Sequence, residues 1–277
     1  MTKVFLIIIV LVAGAVAFFG VMDRRFYSSF TKRAMEVKAE AGAQAGTLIT
    51  EEDLAGLPEP MARYMRFTGV AGKKPISFLH LKHSGKFKTG VGKPFSDIRG
   101  EYYITTKKPS FCWFGKINMA PGLSVSAFDS YFNGKGRMFV KILSAFTVVD
   151  AQSKETDNSA FGRCVAELTM APTFFLNKDI AWKLTGKDSV KCAVSDAGMT
   201  AEAEFYVNPD GSLEKAVVMR NYDRGNGKST LEKFVAVASG YKEQSGFVLP
   251  TKLDGYWDLK EGEFHYVSFE IGEMEIE

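Results

Sequence analysis

Three cysteines, three histidines and a net charge of +3 in 277 residues leave little room for several common chemistries. Cys112, Cys164 and Cys192 are odd in number and lack CxxC spacing, so neither a disulfide framework nor a zinc site is indicated. They read as small buried hydrophobes. None lies near the amino-terminal apolar run, which excludes a lipid-modified cysteine anchor. His80 and His83 stand three apart in a segment of strand character, where odd spacing sends side chains to opposite faces. They make no metal pair, and no metal or cofactor is expected. No GxSxG spacing marks a nucleophile, and Gly134-Lys135-Gly136 lacks the strand-to-helix setting of a phosphate loop. A pI near 8.6, with Lys and Arg scattered among Asp and Glu, is too mild to argue for nucleic acid.

What the sequence does have is one uninterrupted apolar run, Val4 to Val21, flanked by Lys3 and by Asp23, Arg24 and Arg25. With about 1.5 Å of rise per residue, such a run as a helix spans most of a ~30 Å hydrocarbon core. Residues 1–25 therefore read as a single-pass membrane anchor. The rival reading is an export signal, with Val4 to Val12 as its apolar core and Ala15-Val16-Ala17 as its cleavage site. The run continues through Phe18, Phe19 and Val21, longer than a signal needs, which favours an uncleaved anchor. Orientation is contested, because Arg24, Arg25, Lys32, Arg33 and Lys38 outweigh Lys3 and would hold the domain in the cytoplasm. Large folded domains behind one short helix translocate regardless of charge, so the expectation is an extracytoplasmic, periplasmic domain.

Residues 26–49 read as a juxtamembrane helix or linker, and residues 50–277 as a single domain. Thr50 with Asp53 resembles a capping box, and from Pro58 a short amphipathic helix follows, with Met61, Tyr64 and Met65 on one face and Gly69 as its stop. From Ile76 the period changes to that of strands. Segments 78–88, 98–106, 111–119, 123–132 and 137–146 are aromatic or β-branched and punctuated by Gly, Pro, Asn and Asp. Asn133-Gly134-Lys135-Gly136 is the clearest hairpin turn. A helical face of Phe161, Val165 and Leu168 interrupts the strands near 158–170, and Ala171-Pro172 ends it. Strands resume at 201–207, 213–220, 231–237, 251–259 and 263–271. About ten antiparallel strands cannot stay flat. The fold class is mainly β (α+β): a large curved antiparallel sheet or half-barrel with covering helices, whose concave face has room for an apolar ligand.

Arg163 and Glu167 sit i, i+4 on the inserted helix, so guanidinium and carboxylate share a face. That pair reads first as structural and second as a polar contact in a pocket, with Arg163 holding Glu167 ionised. Asp129 and Tyr131 share a strand face and make a second candidate polar patch. Phe111, Trp113, Phe128, Trp182 and Trp257 are candidate apolar lining, with core packing as the alternative for each.

Leu57-Pro58-Glu59-Pro60 with Arg63-Tyr64, Asp129-Ser130-Tyr131 with Gly134-Lys135-Gly136-Arg137-Met138, Arg163 with Glu167 and Pro172-Thr173, and Leu249-Pro250-Thr251 together resemble a bacterial domain-of-unknown-function family of membrane-anchored proteins. The resemblance runs from about Leu57 to the carboxyl terminus. Where that family has Trp-Phe before Pro-Thr, this chain has Met170-Ala171; Cys164 and Lys93 stand where the family favours aromatics. The resemblance implies the curved half-barrel of lipoprotein carriers, and it implies no reaction.

The expected function is binding of a hydrophobic ligand, a lipid or acyl chain, in the concave face at a membrane. The alternatives are a hydrolase-type enzyme using Glu167 as acid or base and a structural partner in a cell-envelope complex. The leaning is away from an enzyme.

Overall fold

The computed structural model describes residues 2–42, 46–225 and 227–277. Helix α1 (Thr2–Ala41) is followed by α2 (Glu51–Ala55) and α3 (Glu59–Thr68), and then by β1 (Phe78–Phe87), β2 (Ser96–Thr105), β3 (Ser110–Ala120), β4 (Leu123–Phe132), β5 (Lys135–Ile142) and β6 (Phe146–Ala151). Helix α4 (Lys154–Glu167) and two short 3-10 turns (Leu168–Met170 and Pro172–Leu176) lead to β7 (Ala181–Leu184), β8 (Ser189–Asp196), β9 (Met199–Val207), β10 (Leu213–Gly225) and β11 (Lys228–Ser239). A small hairpin of β12 (Lys242–Gln244) and β13 (Phe247–Leu249) precedes β14 (Lys252–Leu259) and β15 (Gly262–Ile276).

Thirteen of these strands form one antiparallel sheet in the order β6-β5-β4-β3-β2-β1-β15-β14-β11-β10-β9-β8-β7. A sheet this wide curls under its own accumulated twist, and the expected half-barrel is what results. The turns are built as their residues dictate: Asn133 and Gly134 both adopt positive φ (50° and 75°), which closes the β4–β5 hairpin tightly. Ahead of the sheet, Thr50 and Asp53 exchange the two hydrogen bonds of a capping box.

Alternation assigns the faces. Leu81, Tyr102, Trp113, Ala127 and Ala216 belong to the main buried cluster on the concave side. On β3 and β4 the residues between them, Cys112, Phe114 and Phe128, join a second cluster on the convex side. The partner of that second cluster is α1. Phe26, Phe30, Ala34 and Val37 recur at helical spacing and are buried against it. Polar contacts reinforce the seam: Lys116 donates to Asp23 (2.8 Å), Tyr27 to Glu101 (2.5 Å) and Lys38 to Glu277 (2.6 Å). From residue 26 to 41 the stretch read as helix or linker is therefore a helix packed along the sheet; residues 43–45 lie outside the described residues. The preceding apolar turns of α1 are exposed up to Phe18, and they are long and apolar enough to cross a bilayer, compatible with an anchor or an export signal.

Helix α4 crosses the opposite, concave face and begins four residues earlier than the apolar pattern suggests, because Ser153 caps it through the Thr156 amide (3.2 Å). It bridges the two halves of the sheet. The Asp157 carboxylate accepts from Gly136 N (2.7 Å) on β5, while Ser159 donates to the Asn221 carbonyl (3.1 Å) on β10. Helix α3 closes one end, with Tyr64 donating to the Thr169 carbonyl (2.7 Å) and Arg63 paired with Asp188 (2.7 Å).

If residues 26–41 are part of the folded unit, Phe30→Ala will lower unfolding stability by about 3 kcal/mol, the range for emptying a buried aromatic site. Denaturant titration of the full chain in detergent measures this. A change under roughly 0.5 kcal/mol, typical of surface substitutions, would show that the helix is only a tether.

Candidate functional site

Between α4 and the concave face lies a cavity of about 510 Å³, walled mainly by apolar side chains. Trp113 and Trp257 stand on its sides with Leu81, Phe234 and Phe269, and Arg163 and Glu167 reach it from α4. Its outer rim includes Met119, Met138, Ile142 and Val148, all exposed.

Arg163 is the node of the polar wall. Its Nη1 donates to Asp129 Oδ2 (2.6 Å), and its Nε donates to both Glu167 oxygens (3.0 and 3.1 Å). The guanidinium carbon also lies 5.0 to 5.4 Å from the ring centres of Phe111, Trp113 and Tyr102. Burial opposes its charge, and Glu167, Tyr102 and Asp129 more than restore it, so Arg163 stays a cation. Asp129 is pushed above the usual carboxylate range by burial, with Arg163 working against that rise.

Two further groups at the site carry no motif that marks them. Arg220 is buried, donates from Nε to the Ser159 carbonyl (3.0 Å), and lies over Phe234 and Trp257 (4.7 and 5.3 Å). Among the described residues no carboxylate comes within 4.0 Å of it, and burial holds its pKa below the ordinary arginine value. Strand parity carried the signal, since Ala216, Val218 and Arg220 share a face. His83 is the other. Its Nε2 accepts from the Trp113 indole (2.8 Å), and an indole can only donate, so the imidazole proton sits on Nδ1. Among the described residues that Nδ1 is buried without a hydrogen-bond partner, as is the Tyr102 hydroxyl. Burial first, and then the Arg163 charge, lowers the His83 pKa to about 3, so the ring is neutral. The ring fits because Gly100 has no Cβ, which would stand 2.5 Å from Nε2.

Of the sequence-derived polar candidates, the structure brings Arg163, Glu167 and Asp129 together and leaves Tyr131 apart. Tyr131 lies two residues further along β4, donates to Asp196 (2.7 Å) and stacks on Phe161 (5.0 Å) under α4. Of the apolar candidates, Trp113 and Trp257 line the cavity and three do not. Phe128 is on the convex side against Phe30, as its odd offset from Asp129 requires. Phe111 is on the concave side but sealed beneath Arg163. Trp182 sits on the edge strand β7, half-buried against Phe175. The hydrolase alternative depended on Glu167, and both of its oxygens are held by Arg163. Among the described residues no group of three His, Cys, Asp or Glu side chains could hold a metal ion.

A family model matches residues 47–269, described as a family of unknown function (DUF6544). This chain belongs to that family. No curated protein matches it. Among solved structures, a LolA superfamily protein from Nitrosomonas europaea is similar over 83% of this chain and 94% of its own, at 11% identity and a TM-score of 0.44. The family match spans β1 through most of β15, and with them the Arg163 node and the cavity walls.

Arg163→Met will leave Asp129 buried without its cation, a loss of about 3–5 kcal/mol at neutral pH. The pH dependence has a definite sign. A carboxyl whose folded pKa lies above its unfolded value binds more protons when folded, so stability falls as pH rises between the two values. The variant's deficit should therefore shrink on acidification from pH 7 toward pH 5, as followed by thermal unfolding. A deficit independent of pH would exclude Asp129 as its source.

Proposed function

We propose that this DUF6544 protein binds a hydrophobic ligand, a lipid or acyl chain, in the concave face of its half-barrel, at a membrane that its amino-terminal helix attaches it to. The observation that carries this reading is the cavity of about 510 Å³ between α4 and the sheet, which the side chains around it leave unfilled. Its size falls within the roughly 300–1,000 Å³ of small-molecule sites. An apolar space of this kind favours an apolar guest, because each buried methylene contributes about 0.8 kcal/mol.

The polar groups of the wall supply orientation. Arg220 without a carboxylate, and the unpartnered His83 Nδ1 and Tyr102 Oη, offer three donors to the polar end of a guest. Buried donors without partners are costly, so a ligand that accepts from them is held more firmly than a plain hydrocarbon. The exposed apolar turns of α1 support residence at a membrane, where such ligands are found.

Native mass spectrometry of the full chain released from detergent micelles tests the reading. The expected result is a retained adduct of lipid mass, lost in Ala236→Phe, which places a ring in the cavity. A wild-type chain free of any lipid adduct, and unable to take one up from added fatty acid or phospholipid, would overturn it.

A further inference from the structure

We infer that the cavity opens onto the bilayer itself: the tips of three consecutive hairpins and the membrane-proximal turns of α1 form one lipid-facing rim through which a ligand passes sideways between leaflet and cavity. The inference rests on the lipid-binding reading above and adds where the lipid comes from.

The direction of α1 fixes the geometry. It runs antiparallel to β3 along the convex face, with Glu40 against Ser110 (2.8 Å) at the start of the strand and Asp23 against Lys116 (2.8 Å) near its end. Asp23 also accepts from Ser144 (2.7 Å) in the β5–β6 turn, and Phe19 lies 6.3 Å from Phe146 at the start of β6. The exposed apolar turns of α1 therefore leave the domain at the end of the sheet where β3 turns into β4 and β5 into β6. In an antiparallel meander the β1–β2 connection falls at that same end.

Those three connections carry apolar side chains out into solvent. Val91 and Phe95 lie between β1 and β2, Met119 and Leu123 flank the β3–β4 turn, and Phe146 and Val148 follow the β5–β6 turn; Val91, Phe146 and Val148 are each more than half exposed. One such residue is ordinary on a protein surface, whereas a row of them on neighbouring hairpins marks an interaction site. The connections at the other end, residues 106–109 and 133–134, contain Thr, Lys, Pro, Asn and Gly and no large apolar side chain. Around the apolar tips stand Arg24, Arg25 and Lys93, all exposed, suited to anionic headgroups. The occupant is a bilayer surface, because the rim is continuous with a helix apolar enough to enter one. The rim also belongs to the cavity: Met119, Ile142 and Val148 border it, as do Phe87 and Thr89 from the β1–β2 side. A ligand moving through this mouth leaves the hydrocarbon of the leaflet only when it meets that of the wall, and so avoids the cost of exposing its chain to water.

The test uses the full chain in vesicles of phosphatidylcholine and phosphatidylglycerol. Single cysteines replacing Val91, Leu123 or Lys107 are labelled with an environment-sensitive fluorophore; the three native cysteines are buried. Labels at 91 and 123 should shift to the blue and lose emission when the vesicles contain acyl-chain quenchers, and the label at 107, at the far end, should do neither. Water-like, unquenched emission at 91 and 123 would overturn the inference, and if lipid adducts persisted in that case the binding reading would stand alone. Quenched tips on a chain that retains no lipid would support the membrane-seated rim and sink the binding reading instead. Functionally, Val91→Asp with Leu123→Asp should slow transfer of a fluorescent fatty acid from vesicles at least about tenfold, the equivalent of ~1.4 kcal/mol of lost membrane contact, while uptake from solution is unchanged. Equal slowing of both routes would place these residues in the ligand site and contradict a membrane role.

Discussion

The structure turns on Arg163. A sheet of thirteen strands has to curl, and once curled its concave face must be covered without being filled if it is to hold anything. Helix α4 supplies the cover, and the Arg163 guanidinium joins it to β4 through Asp129 while binding Glu167 on its own next turn. An ion pair buried this deeply contributes little net stability, because desolvation offsets most of its attraction. Its value is positional. A hydrophobic contact would draw the helix down onto the sheet, whereas a charged pair bounded by aromatic faces sets its height, and the space beside it stays open.

The two faces of the sheet divide the labour. On the convex side Phe26 and Phe30 of α1 pack against Phe114 and Phe128 in ordinary core packing. On the concave side the same strands present Trp113, Ala127 and Asp129 to the cavity. One strand thus attaches the amino-terminal helix with one set of side chains and lines the cavity with the alternate set. The site's position relative to α1 follows from that alternation.

Much of the fold was legible in the sequence. The capping box at Thr50, the helix ending at Gly69 and the hairpin at Asn133-Gly134 were set by local chemistry that tertiary context did not override. The edge of the sheet was harder to read. Phe146 reads as the end of the strand before it and residues 147–151 show no clean alternation to mark a strand of their own, and Ala181–Leu184 is too short for a pattern. In the site, Arg163 and Glu167 were legible as neighbours because i, i+4 spacing puts them on one helix face, whereas Asp129 showed only as a polar strand residue, and its pairing with Arg163 needed the tertiary fold. Phe128 lies on the convex side and not in the cavity because it stands one residue from Asp129, and strand parity turns neighbours to opposite faces. Arg220 carries no motif signal, and His83 is weighed only as half of a metal pair; what marks both is their alignment with apolar neighbours, and that needs the register of strands distant in sequence. The burial of residues 26–41 was illegible for a related reason: an amphipathic face shows in sequence, but the surface it covers does not.

An experimental structure of the full chain purified from native membranes tests the central claim most directly. The account predicts elongated density between Trp113 and Trp257, with its polar end within hydrogen-bond reach of Arg220 and α4 held away from the sheet by the Arg163 pairs. An α4 collapsed onto β10 and β11, with side chains filling the space and no room for a chain, would contradict it.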